Sequence, residues 1–369
     1  MKINDTPTLT KRVEYIHSSA ISGYIVGSLC LYMLRVLTNW LNLSDVTMLI
    51  NKIKKEINRF KKRFFSKKYK IAELEQYRLE NRPYELFAKY PNTLPPLEIP
   101  IIKNPSETII NIIDFGCSLA RFGDGEFRVM KNRGIHFQNT SPGLAKKLEQ
   151  VLRSDKSDLL LALPDCFGSL DDYLPKVADF WRKWLVTKRQ RVYTYLDMDR
   201  IYYSAFFTRA YMLYNKTEQH YINCHVYFES IKQIWAGRDV IICEGEGTRF
   251  GLFNDLLTGA NSISRILCPA RNAYDKYYNI LSAFDNINND KLVLIALGPT
   301  ATVLVYELHS KGFQAIDIGH LDVEYEWFLS KDEEGRPLQH KYVDGSTEGR
   351  QVHKLDDAEY LSQIINTIL

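Results

Sequence analysis

The chain has 369 residues, 45% of them apolar and 25% charged, and its 48 Lys and Arg against 44 Asp and Glu leave a net charge of +4. These proportions are ordinary for a globular protein with an ample core, in one large domain with an appendage or in two domains. Six cysteines, at 30, 117, 166, 224, 243 and 268, show no CxxC spacing, which argues against a zinc site and a disulfide scaffold and fits a reducing cytoplasm.

Residues 1–100 read as a helical, basic and amphipathic extension. No basic segment leads directly into an apolar run with a cleavage site, so no secretory signal is expected. Residues 18–34 carry no charge, but four Ser and two Gly dilute them. They fall short of the roughly 20 apolar residues that a bilayer span requires, and a buried or interfacial helix is expected instead. Residues 52–70 hold ten Lys and Arg and one Glu, with Ile53, Ile57, Phe60, Phe64 and Phe65 near helical spacing. Such a helix suits an anionic membrane surface, and the plain alternative is a solvated helix packed on the following domain. Nucleic acid is not expected, because no binding fold accompanies the charge. Pro91, Pro95, Pro96 and Pro100 mark a linker, and the main domain is placed at 101–369.

In that domain the pattern predicts a helix over 106–115 and a short apolar strand over 117–122. The strand runs into Gly123-Asp124-Gly125-Glu126. The two glycines admit a close ligand. Two carboxylates with no bulk between them can turn toward one cation, and oxygen ligands of this kind suit Mg²⁺ or Mn²⁺. A bare Asp-x-Glu is weak evidence, since the spacing recurs at Asp322 and Glu324; a capping turn with Asp124 as N-cap is the alternative.

Further along, helices are expected over 144–152, 170–186 (rich in aromatics), 200–214, 221–236, 252–259, 274–284 and 301–310. Strands are expected over 158–163, 191–195, 239–243, 262–268, 291–297 and 313–318. Alternation of this kind gives a Rossmann-like, mainly parallel α/β sheet with helices on both faces. Ligands of such sheets bind at the carboxyl ends of the strands, where the glycine-rich turns fall. The turn Gly298-Pro299-Thr300 would open a helix whose free N–H groups suit a diphosphate. Neither a Walker motif nor GxGxxG is present, so an ATP P-loop and a dinucleotide fingerprint are unsupported. The last expected strand leads into His320-Leu321-Asp322-Val323-Glu324-Tyr325-Glu326. In a helix Asp322 and Glu326 would share a face, and clustered carboxylates can supply a base.

Four strings, ARFGDGEF, EGEGTRFG, CPARNAY and LGPTA…GFQAIDIGHLDVEYEW, occur in an order that resembles the bacterial GT-D-type glycosyltransferases, once a domain of unknown function. The resemblance covers roughly residues 105–330. It implies a GT-D fold and a metal-dependent transfer of sugar from a nucleotide-sugar, expected to be a UDP-sugar, to a hydroxyl in bacterial surface polysaccharide or glycoprotein assembly. Asp124 and Glu126 would hold Mn²⁺ or Mg²⁺ and the donor diphosphate. Arg121, Gly123, Gly298, Pro299 and Thr300 would cradle the nucleotide, and Glu244, Arg249, Asn254 and Asn272 would line the cleft. The base is expected to be Glu326, then Asp322 or Glu324, with His320 as a partner or base. The acceptor would be a glycan, a lipid-linked sugar or a glycoprotein, met at the inner face of the cell membrane through residues 18–70. The competing readings are a metal-dependent phosphoryl-transfer or nucleotide-hydrolysing enzyme on the same sheet, and a non-catalytic membrane-associated scaffold.

Overall fold

The computed structural model describes residues 99–343, Gly349, Val352 and 355–369. The expected N-terminal extension, with its uncharged 18–34 stretch and basic 52–70 segment, lies outside the described residues. Among those described, no helix is long and apolar enough to cross a membrane.

The centre is a nine-stranded sheet in the order β1-β4-β3-β2-β8-β7-β5-β6-β9, with every pairing parallel. The strands are β1 (Ile101–Ile102), β2 (Ser118–Arg121), β3 (Leu159–Leu163), β4 (Ile201–Ser204), β5 (Asp239–Gly245), β6 (Ser262–Cys268), β7 (Leu292–Ala296), β8 (Gln314–Asp317) and β9 (Ile364–Thr367). The central strands are apolar runs because both faces are covered. Along β7 the side chains alternate, Val293 and Ile295 entering one core and Leu292 and Leu294 the other. The first core takes residues from α3 (Pro142–Leu152), α4 (Pro175–Tyr193), α6 (Tyr277–Ser282) and α7 (Pro299–Ser310). The second takes them from α1 (Pro105–Asp114), α5 (Glu218–Lys232) and α8 (Leu321–Ser330). Two short helices, α2 (Asp124–Val129) and α9 (Ala358–Ser362), complete the set.

The expected α/β architecture is present, with three local differences. The strand expected over 191–195 belongs instead to the end of α4, whose buried Trp181, Trp184, Leu185 and Val192 keep helical spacing. The helix expected over 200–214 is strand β4 followed by a 3₁₀ turn, Ala205–Thr208. There Tyr202 and Ser204 are buried while Ile201 is exposed, a period of two, and β4 bridges β1 and β3. Residues 252–259 form turns rather than a helix. Gly251, just before that stretch, and Phe253 within it have φ of +70° and +64°, and both values break helical geometry.

Candidate active site

The strand order reverses between β2 and β8: β3 and β4 continue to one side, β7, β5 and β6 to the other. A cleft of about 710 Å³ opens there at the carboxyl ends of the strands, the place where open parallel sheets take their ligands. Its walls include Arg121 at the end of β2 and Asp124 and Glu126 just after it, Arg209 after β4, Gly298 after β7, and Asp317 and His320 at the end of β8.

The turn after β2 is built around Glu126. Gly123 is the N-cap of α2, so Asp124 is the first helical residue and not the cap. Glu126 bends back, and its Oε2 accepts the Gly123 N–H at 2.7 Å. Burial, reinforced by the nearby Asp317 charge, pushes the Glu126 carboxyl up to about 7. Asp124 is also raised, chiefly by desolvation, against the pull of Arg209 and Arg128. Both carboxyls therefore ionise at a cost that an incoming cation would relieve.

Arg121 is fixed from two sides. Its Nε donates to Ala205 O at 3.1 Å and its Nη1 to Asp317 Oδ1 at 3.2 Å. Gly319, at φ +44°, makes room for it, since a Cβ there would lie 1.9 Å from Arg121 Nη1. Asp317 also accepts the Gly319 N–H at 3.1 Å; its carboxyl is raised by burial and held back by Arg121. Burial, with Arg209 and Arg121 adding repulsion, pushes the His320 imidazole down to about 3. It is neutral near pH 7.

Arg209 owes its position to a buried carboxylate. Glu324, fully buried, accepts the backbone N–H groups of Tyr211 and Met212 at 3.0 and 2.8 Å and pairs with Arg209 Nε at 3.3 Å. On the opposite wall Phe137 lies over Gly298, whose φ is +54°, and a Cβ there would sit 2.2 Å from the ring. Asn272 pins that loop, accepting the Asn139 N–H at 2.8 Å and donating its own N–H to Phe137 O at 2.8 Å.

The cleft thus brings together Arg121, Gly123, Asp124, Glu126, Asn272, Gly298 and His320, all singled out in the sequence. Others lie outside its walls. Pro299 and Thr300 are buried in the first turn of α7. Glu244 sits in the core, its Oε1 2.7 Å from Arg265 Nη1 and its Oε2 accepting the Phe250 N–H at 2.7 Å. Arg249 donates to His340 O at 2.7 Å. Asn254 donates to Asp322 at 2.8 Å and to Glu326 at 2.6 Å, and Lys341 reaches the same two carboxylates at 2.7 and 2.9 Å. Asp322 and Glu326 do share a helix face, but that face is tied to Lys341 and Asn254, and Glu324 serves Arg209. None of the three is presented to the cleft as a free base, because each carboxylate is held by internal donors. Arg209 and Asp317 were not expected; the signal for Arg209 was a single cation inside the largely apolar run 201–214.

Among the described residues no group of three or more His, Cys, Asp and Glu is arranged to hold a metal ion. Asp124 and Glu126 supply two oxygen donors. That fits Mg²⁺ or Mn²⁺, which take one or two carboxylates and complete their shell with water and substrate phosphate.

Known proteins share this frame. The family model described as "Glycosyltransferase GT-D fold" matches residues 119–346. The chain is 38% identical over 258 residues to the "Probable glycosyl transferase Gly" of Streptococcus gordonii, covering 69% of this chain and 37% of that protein. It is 33% identical over 275 residues to the glycosyltransferase GlyD of Streptococcus pneumoniae serotype 4, covering 74% and 33%. It therefore spans about a third of the length of these curated relatives. A solved structure described as a new glycosyltransferase (DUF1792) from Streptococcus sanguinis is 34% identical, with a TM-score of 0.67 over 73% of this chain and all of that one. Another, described as a highly conserved domain of unknown function 1792 with a distinct glycosyltransferase fold, is 34% identical with a TM-score of 0.69 and covers 73% and 96%.

Proposed function

The chain belongs to the GT-D glycosyltransferase family, and on that premise we propose that it moves a sugar from a nucleoside diphosphate, of which UDP is the first choice, to a hydroxyl of a surface glycan or glycoprotein. The observation that carries this reading is the cleft itself: two carboxylates and two guanidinium groups converge where the parallel strands diverge. Asp124 and Glu126 would hold Mn²⁺ or Mg²⁺, which when bound offsets charge on the departing diphosphate. Arg121 and Arg209 face the same space and offer fixed donors to phosphate oxygens, with little reorganisation because Asp317, Ala205 O and Glu324 already hold them. The Gly298 turn brings a helix N-terminus to one wall.

Of the groups considered as base, His320 is the one on the cleft wall. It is neutral and able to accept a proton, and a bound diphosphate facing Arg121 and Arg209 would raise its basicity by neutralising their charge. The basic 52–70 segment would bring the enzyme to an anionic membrane surface, on its inner face.

The test is a thermal-shift screen of UDP-, GDP- and dTDP-sugars with and without Mn²⁺. Ligands that bind only the folded state raise the melting temperature with the logarithm of their concentration. A UDP-sugar should raise it, and more with Mn²⁺. No shift with any nucleotide-sugar would overturn the reading. Sedimentation with anionic vesicles, lost on deleting residues 1–98, tests the membrane part separately.

A further inference from the structure

The cleft has two unlike arms. On the β7–β5–β6 side its walls are mixed: Gly245, Ala270, Gly298, Gln138 and Asn272 stand beside Phe137, which lies over Gly298, and Tyr342. On the β3–β4 side they come from the first two turns of α4: Lys176, Val177, Phe180 and Trp181, joined by Phe206. Phe180 is 48% exposed, although an aromatic ring is ordinarily among the better buried side chains. The aromatic side chains behind it are buried: Trp181 is 6% accessible and packs edge-on against Phe180 at 5.0 Å and against Trp184 at 5.4 Å, and Phe206 lies 5.5 Å from Trp181. A rigid aromatic stack therefore presents one ring to the cleft. Lys176, one helical turn before Phe180, is exposed beside it.

We propose that this arm is the acceptor subsite, in which Phe180 stacks on the apolar face of a pyranose ring and Lys176 donates to its hydroxyls. The inference rests on the glycosyltransferase reading and assigns the second substrate a place within it. Transfer forms a bond from the acceptor oxygen to the anomeric carbon and breaks the bond from that carbon to the diphosphate oxygen. The diphosphate leaves with the bonding electrons, and the acceptor hydroxyl loses its proton to a base. The anomeric carbon thus lies between acceptor and diphosphate. With Arg121, Asp124 and Glu126 at the β2–β8 reversal, the nucleoside and the acceptor need separate approaches. The arm at the Gly298 turn, with the Phe137 ring, Gln138 and Asn272 on its walls, suits a planar base and a ribose. The aromatic arm suits a sugar, whose ring carbons present C–H groups to a π face.

The experiment uses the full chain with the nucleotide-sugar selected above, and p-nitrophenyl glucoside, galactoside and N-acetylglucosaminide as acceptor probes. Transfer to water and UDP affinity serve as donor-side controls. Phe180→Ala should raise the acceptor KM about tenfold, while UDP affinity and transfer to water stay within about twofold. Phe180→Trp should restore most of the loss. An unchanged acceptor KM in Phe180→Ala, or an equal loss of UDP affinity, overturns the assignment while leaving the glycosyltransferase reading in place. Absence of any transfer by the unaltered chain overturns that reading, and the subsite with it.

Discussion

Two Asp-x-Glu segments share a spacing and a place in the first turn of a helix, Asp124 and Glu126 in α2 and Asp322 and Glu324 in α8, yet they meet opposite surroundings. Among the described residues the first pair forms no ion pair, and Glu126 bonds only the Gly123 N–H. Its neighbours are glycines, and both side chains line the cleft. The second pair is enclosed: Lys341 and Asn254 take up Asp322, while Arg209 and two backbone N–H groups take up Glu324. The same short motif thus stays open to the cleft where no cation is close enough to form an ion pair with it, and becomes a structural strut where one is. The physical reason is the cost of burying a charge, which is tolerable only with a partner nearby.

The comparison can be broken most severely at its two ends. Asp124→Ala should lower transfer by about 10²-fold or more while leaving the melting temperature nearly unchanged, because no internal partner is lost. Lys341→Met should do the reverse. It removes the cation that pairs with both Asp322 and Glu326, at a cost of roughly 3–5 kcal/mol of stability, read by urea denaturation, while activity per folded molecule holds within a few-fold. Equal effects of the two changes on both readouts would erase the distinction.

Arg209→Ala sits between those extremes, since the side chain links the strut to the cleft. It should reduce transfer by about 10²-fold through loss of one fixed donor, and it should leave Glu324 with its two backbone N–H groups. Kinetics together with a melting curve check this.

The smallest effect concerns His320. Its folded pKa is depressed from 6.5 to about 3, so in that window the unfolded chain binds more protons than the native one. The group's contribution is complete above the unfolded value and is lost as pH falls. His320→Asn should therefore lose less stability than the parent between about pH 7 and pH 5, by on the order of 1 kcal/mol after allowance for partial exposure. An identical acid slope in both proteins would contradict the assigned environment.

Much of the sheet was legible because buried parallel strands are plain apolar runs, such as Leu159–Leu163 and Leu292–Ala296, ended by Pro or Gly. The stretch 200–214 misled because aromatic and β-branched residues read equally as a buried helix or as a strand, and only the partners β1 and β3 decide. Within the site, residues next to a strand end, Arg121 through Glu126 and Gly298, could be read from local pattern. The placement of Glu244, Asp322, Glu324 and Glu326 could not, since their partners stand far along the chain: Arg265 lies 21 residues from Glu244, and Lys341 is 19 residues from Asp322. A carboxylate's availability is a tertiary property. Arg209 and Phe180 show the same limit from the other side, a charge and an exposed ring whose use becomes plain only when β4 and α4 meet the β2 turn.

The most direct test is calorimetric titration of Mn²⁺ in the presence of UDP, on the parent chain, on the double variant Asp124→Asn with Glu126→Gln, and on Asp322→Asn. Saturable binding by the parent and by folded Asp322→Asn, with none by the double variant, is the predicted result. Undiminished binding by the double variant would contradict the claim that the α2 pair, and not the α8 pair, is the one left open for a cation and its diphosphate.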